Sequence, residues 1–127
     1  MQIAHIAIWT KDLETMKEFY KNYFGGESSG KYTNPVTKYK SYFIGFKGGT
    51  KLELMSKPSV ADPVEPGERL GLSHISFKLN STDAVISLTE KIRSDGYTIV
   101  SEPRITGDGY FESVVLDAEG NRVELMA

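Results

Sequence analysis

The sequence predicts an α+β fold made of two paired β-α-β-β-β repeats, whose strands form a curved eight-stranded sheet around a cleft. Three observations point there. Lys51-Leu52-Glu53-Leu54-Met55 is echoed 71 positions later by Arg122-Val123-Glu124-Leu125-Met126. Ile3-Ala4-His5-Ile6-Ala7-Ile8 is echoed 69 positions later by Leu72-Ser73-His74-Ile75-Ser76-Phe77. Between those landmarks each half carries one segment of helical periodicity. A repeat constrains the whole topology at once, and a unit this small cannot bury its sheet alone. The chain is therefore read as a single domain over 1–127, with repeat 1 over about 1–56, a connector over about 57–71 and repeat 2 over about 72–127.

Each element has its own signal. Gln2 to Trp9 alternates and is rich in β-branched residues, so it reads as a strand. Asp12 is a suitable N-cap for a helix in which Leu13, Met16, Phe19, Tyr20, Tyr23 and Phe24 recur at helical spacing. Gly25-Gly26 ends it. A polar stretch through Pro35 reads as a loop or ragged strand. Tyr39 to Phe46 and Lys51 to Met55 read as strands around the turn Lys47-Gly48-Gly49-Thr50. The connector holds Pro58, Pro63 and Pro66. In the second half, Leu72 to Leu79 is a strand, and Ser81 caps a helix to Asp95 with Val85, Leu88 and Ile92 on one face. Tyr97 to Val100, Glu112 to Leu116 and Arg122 to Met126 follow as strands. Gly49 and Gly120 occupy equivalent turns.

Composition removes several functions. A net charge of −2 offers no basic surface for nucleic acid. No apolar run is long enough to cross a bilayer and no signal segment opens the chain, so a cytoplasmic protein is expected. With no cysteine, any metal must be held by His, carboxylates, backbone or water. Such donors suit Ni²⁺, Co²⁺, Mn²⁺, Fe²⁺ or Zn²⁺ better than a thiophilic ion.

The two repeats each place one His on the opening strand and one Glu on the closing strand. A single strand His is more often a satisfied core residue than a ligand. A strand Glu between two apolar residues most simply faces water while its neighbours face a helix. Recurrence of both types at equivalent positions changes that balance. His5, Glu53, His74 and Glu124 together make a full set of side chains for one divalent metal, and the cleft is read as metal-binding.

The residues that carry these positions resemble the vicinal oxygen chelate superfamily, and within it glyoxalase I (lactoylglutathione lyase). The likeness spans essentially the whole chain. It rests on His5-Ile6-Ala7-Ile8, on Asp12-Leu13 before a helix with Phe19-Tyr20, and on Lys38-Tyr39-Lys40 to Gly45. It rests also on Leu52-Glu53-Leu54, on Gly71 to Ile75, and on Leu116 to Leu125. The last segment is similar to the family ending Asp-Pro-x-Gly-x-x-x-Glu, with Ala118 for the proline. The order His, Glu, His, Glu is that of glyoxalase I. Methylmalonyl-CoA epimerases usually have Gln where Glu53 stands, and bleomycin-resistance-type members lack the ligands. The glutathione contacts are not matched: Trp9 stands where the family commonly has Arg, and Ser56-Lys57 where it has Asn. A glutathione pocket is either rebuilt from Lys57, Arg69 and Arg104, which with Trp9 are the substrate-pocket candidates, or absent.

The resemblance implies a lyase that converts the hemithioacetal of a 2-oxoaldehyde, such as methylglyoxal, and a thiol, glutathione or another, into a 2-hydroxyacyl thioester. The reaction passes through an enediolate stabilised by the metal, with Glu124 as main base and Glu53 returning the proton. It also implies a divalent metal, with Ni²⁺ or Co²⁺ favoured and Zn²⁺ an alternative, and a homodimer that takes a small-molecule substrate. Trp9, Tyr39, Phe46, Tyr110 and Phe111 are candidates for the apolar wall. Two other functions fit the same residues less fully: an epimerase or isomerase using the same chemistry, and a non-catalytic module that binds small molecules such as antibiotics.

Overall fold

The computed structural model describes residues 1–62 and 70–127. Pro63, Pro66 and Arg69 of the expected connector lie outside them. The chain divides into two compact units, Met1–Glu65 and Pro66–Ala127. The class is α+β, with one helix and one mixed sheet in each unit.

In the first unit, β1 (His5–Trp9) leads into α1 (Leu13–Phe24), then β2 (Glu27–Ser28), β3 (Tyr32–Thr33), β4 (Lys40–Gly45) and β5 (Lys51–Ser56). In the second, β6 (Ile75–Lys78) leads into α2 (Thr82–Ser94), then β7 (Ile99–Ile105), β8 (Phe111–Leu116) and β9 (Arg122–Met126). Strand order is β1-β5-β4-β2 in one sheet, with β3 also on β4, and β6-β9-β8-β7 in the other. First and last strands of each unit pair in parallel; the remaining pairs are antiparallel. The repeat read from sequence is thus a repeat of topology. Its turns match as well: Gly49 and Gly120 have φ of 86° and 87°, a region in which a side chain is strained.

The strand that was hardest to place consists of two fragments, β2 and β3, separated by Ser29-Gly30-Lys31. The described strands therefore number nine rather than eight. β7 runs on past Val100 to Ile105 and takes in Pro103. Its pairing with β8 shifts register on either side of Ser101, and an edge strand with such an irregularity tolerates a residue with no N–H to donate.

Both helices form where the caps and periodicity put them. Asp12 Oδ1 accepts from Thr15 N at 3.0 Å, and Ser81 Oγ from Ala84 N at 3.1 Å. Leu13, Met16, Phe19 and Tyr20 are buried on α1, which packs on β4 and β5, where Tyr42, Ile44, Leu52 and Leu54 are buried. On α2 the buried residues are Val85, Thr89 and Ile92, and the helix packs on β8 and β9, where Val115, Val123 and Leu125 are buried. Each large aliphatic side chain so buried contributes about 1.5–3 kcal/mol relative to an exposed one. Thr89 is the polar member of that face. Its hydroxyl is satisfied by Val85 O and Ser113 Oγ, both at 2.7 Å.

Gly25 closes α1 in the left-handed conformation (φ 62°), and Gly26 then passes against the sheet. A Cβ on Gly26 would overlap Ile44 Cγ2 and approach Phe46 Cε1 to 3.0 Å. Gly26→Ala is therefore expected to cost roughly 1–3 kcal/mol, as overpacking does. Urea unfolding would read this as a lower midpoint with an unchanged slope.

Glu14 carries the densest ion pairing on α1. Its carboxylate accepts from Lys17 Nζ at 2.8 Å, Lys31 Nζ at 2.6 Å and Tyr42 Oη at 3.1 Å. The two ammonium groups, Lys17 first, lower its pKa from 4.5 to about 2. A carboxylate depressed by folding stabilises above its unfolded pKa, and that contribution is lost as pH falls from about 4.5 towards 2. The side chain is half exposed, so screening holds the contribution to at most about 1 kcal/mol. Glu14→Gln should lower stability modestly at pH 7 and converge with the parent near pH 2, as followed by chemical unfolding across that range.

Candidate metal centre

Alternation along β1 and β5 places opposite chemistries on the two faces of the first sheet. Leu52 and Leu54 face α1 and are 3% and 0% exposed. Glu53, between them, projects from the other face. Parallel pairing sets Ala7 opposite Glu53 and Trp9 opposite Met55, and β4 sets Phe43 opposite Glu53. His5, two residues before Ala7, shares this face. Its Nε2 lies 3.6 Å from Glu53 Oε2, and its ring stands edge-on to Phe43 with centroids 5.5 Å apart.

The second unit repeats the arrangement. Ser76 lies opposite Glu124, and Val123 and Leu125 face α2. His74 sits immediately before β6, with Nε2 3.4 Å from Glu124 Oε2. The Glu side chains are only 16% and 14% exposed, whereas the His side chains are 46% and 43% exposed. These carboxylates are sheltered, not the solvated outer face of a sheet.

Each Glu has a second partner that sequence reasoning missed. Tyr39 Oη donates to Glu53 Oε1 at 2.7 Å, and Ser76 Oγ donates to Glu124 Oε1 at 2.6 Å. In both units one oxygen accepts from a hydroxyl and the other turns to the His. Burial, and then the bond to Glu53, raise the Tyr39 pKa, so the phenol keeps its proton at neutral pH. Ser76 had a legible signal, since it lies two residues after His74 on the same strand face. Tyr39 had none beyond its aromatic character, because it reaches Glu53 across the hairpin.

The donors fit a divalent metal in kind and in spacing. Two ligands about 2.1 Å from one ion at right angles lie about 3 Å apart, close to the His–Glu separations seen. Imidazole nitrogen and carboxylate oxygen suit first-row divalent ions. Among the described residues no group of three or more His, Cys, Asp or Glu side chains is gathered to hold a metal, so each pair stands as a pair.

The pocket candidates separate. Trp9 and Lys57 are brought together, with Nζ 4.8 Å from the ring centre, and Trp9 also meets Tyr39 edge-on at 6.3 Å. Arg104, on β7, pairs with Glu112 at 3.3 Å. Arg69 lies outside the described residues. Phe46 packs beside Gly26 and Ile44 and so belongs to the helix side. Tyr110 and Phe111 stand at the entry to β8, with Tyr110 half exposed. His5 also borders a depression of about 350 Å³ with Ala4, Phe43, Gly49 and Lys51, within the usual size range of small-molecule sites.

Residues 2–125 match the model of the Glyoxalase/Bleomycin resistance protein/Dioxygenase superfamily. The chain belongs to that superfamily. The expected vicinal oxygen chelate membership and α+β fold are thereby borne out. The chain is 26% identical to the uncharacterized protein YqjT of Bacillus subtilis (strain 168), over 97% of its own length and 96% of that protein's. It is 27% identical to glyoxalase I from Zea mays, with a TM-score of 0.77 over 98% of this chain but only 44% of the maize chain. It therefore spans less than half of that enzyme. A glyoxalase family protein from Enterococcus faecalis shares the fold at 24% identity, with a TM-score of 0.80 over 99% of this chain and 97% of the other. Among the described residues, no helix is long and apolar enough to cross a membrane.

Proposed function

We propose that the protein is a metal-dependent lyase of the glyoxalase I type, acting on the hemithioacetal of a 2-oxoaldehyde and a thiol. The observation that carries this reading is the duplicated His–Glu pair, at 3.6 and 3.4 Å, with each Glu held by a hydroxyl on its other oxygen. Recurrence of the pair and of its support in both units is what separate solvated faces would not need.

In this proposal His5, Glu53, His74 and Glu124 would hold the ion, Ni²⁺ or Co²⁺ before Zn²⁺. When bound, the ion supplies Lewis acidity to two adjacent substrate oxygens and to the charge that develops on them. Glu124 takes the proton from the carbon that bears sulfur, the electron pair left behind closes a carbon–carbon double bond, and the π pair of the ketone moves onto its oxygen. That proton is returned to the neighbouring carbon, with Glu53 as its shuttle, and the substrate's hydroxyl proton passes from one of its two oxygens to the other. The thiohemiacetal carbon becomes the thioester carbonyl, the former ketone becomes the hydroxyl carbon, and no external oxidant is consumed. A sheltered carboxylate adjacent to the reacting carbon suits such a transfer. The two Glu are equivalent by repeat, and assignment of the main base to Glu124 is part of the proposal.

Trp9 with Lys57 against its ring offers an aromatic face and one ammonium to the thiol, glutathione or another. A homodimer is proposed from the family resemblance. The test is thioester formation from methylglyoxal and a panel of low-molecular-weight thiols, using metal-stripped protein reloaded with Ni²⁺, Co²⁺ or Zn²⁺. Metal-dependent turnover on one thiol is expected. Tight metal binding without turnover on any thiol would move the reading to an epimerase or isomerase. Absence of metal binding would leave a small-molecule binding module.

A further inference from the structure

We infer that Tyr39 is a positioning residue for Glu53, fixing which carboxylate oxygen is presented to the metal. The inference rests on Glu53 being a ligand, as proposed above. A strand Glu has three side-chain torsions, and an unheld carboxylate samples one-oxygen and two-oxygen contacts with an ion. The Tyr39 hydroxyl engages Oε1 at 2.7 Å and leaves Oε2 as the oxygen turned towards His5. Partners of this kind hold ligands in orientation and raise metal affinity.

The hydroxyl is itself placed by two sets of contacts. The hairpin tip fixes its backbone: Asn34 N donates to Tyr39 O at 2.8 Å, and Tyr39 N donates to Thr37 Oγ1 at 3.3 Å. Asn34 Oδ1 in turn accepts from Val36 N and Thr37 N at 2.9 and 3.0 Å. The ring is the middle of a row of three, with centroids 6.3 Å from Trp9 and 6.0 Å from Tyr32.

The comparison within the chain argues that the contact is not incidental. In the second unit the same oxygen accepts from Ser76, which lies directly opposite Glu124. The residue opposite Glu53 is Ala7, which has no hydroxyl to give. The first unit meets the same need from a different element, with a phenol reaching in from the hairpin. Two unrelated donors converge on one function.

Tyr39→Phe keeps the ring row and removes the hydroxyl. Calorimetric titration with Ni²⁺ should show affinity weakened roughly 10–100-fold. The thermal midpoint of the metal-free protein should stay near that of the parent. Adding Ala7→Ser places a serine opposite Glu53, as Ser76 lies opposite Glu124, and should recover most of the lost affinity. Glu53→Gln is the control. If it leaves Ni²⁺ affinity unchanged, Glu53 is no ligand and the proposed metal site itself fails. If Glu53→Gln weakens binding and Tyr39→Phe does not, the positioning role alone is overturned. An affinity that stays low after Ala7→Ser also overturns it, because the loss then does not come from a missing hydroxyl on Glu53.

Discussion

Glu124→Gln is expected to lower thioester formation roughly 10³-fold or more, the upper range for loss of a positioned base. The substitution keeps the shape of the side chain. Its amide oxygen can still accept from Ser76, 2.6 Å away in the parent, and Val123 and Leu125 remain buried on either side. What disappears is the negative charge that, in the proposed mechanism, takes the substrate proton and neutralises the ion. Both losses reduce turnover, so the variant should fail in kcat more than in KM, and it should also bind metal less tightly. Steady-state kinetics at saturating Ni²⁺ separates the two. A residual rate within tenfold of the parent would transfer the main base to Glu53, the repeat-equivalent carboxylate.

The second large effect concerns the imidazoles. His5→Ala and His74→Ala should each weaken Ni²⁺ binding by more than the roughly 10–100-fold that an outer partner costs, because each removes a direct donor. Neither His is part of a buried core: their side chains are 46% and 43% exposed. The metal-free variants should therefore unfold near the parent midpoint. Added metal stabilises a folded protein in proportion to the logarithm of ligand excess over Kd, about 2.7 kcal/mol at a hundredfold excess. The parent should gain stability on Ni²⁺ addition, and each His variant should gain much less. Equal gains in parent and variants would exclude both His as ligands.

The halves of the fold were legible because the landmarks recur. Glu53 and Glu124 announce themselves by sitting between residues that must be buried, and the structure buries Leu52, Leu54, Val123 and Leu125 to 3% or less. The helices were legible because caps and periodicity agree at Asp12 and Ser81. β2 and β3 were not, since two residues paired to β4 on each side of Ser29-Gly30-Lys31 leave no alternation to read. The length of β7 was hidden by Pro103, which reads as a strand end yet sits within an irregular edge pairing. At the site, strand parity turns Glu53 and Glu124 away from the helices, but the approach of each His depends on the parallel pairing of first and last strands, and His74 lies just before β6. The Tyr39 hydroxyl follows from neither, because its reach depends on how the Asn34–Tyr39 hairpin tip folds over the sheet. Trp9 and Lys57 were named from a mismatch with the family pattern, and their mutual contact adds geometry that the mismatch could not supply.

The stoichiometry of Ni²⁺ binding to the metal-stripped protein, by calorimetric titration, tests the proposed four-ligand site most directly. One ion per chain is expected, with His5→Ala and His74→Ala each weakening that single event. Two independent ions per chain, of which each His variant loses one and keeps the other, would contradict a site shared by His5, Glu53, His74 and Glu124.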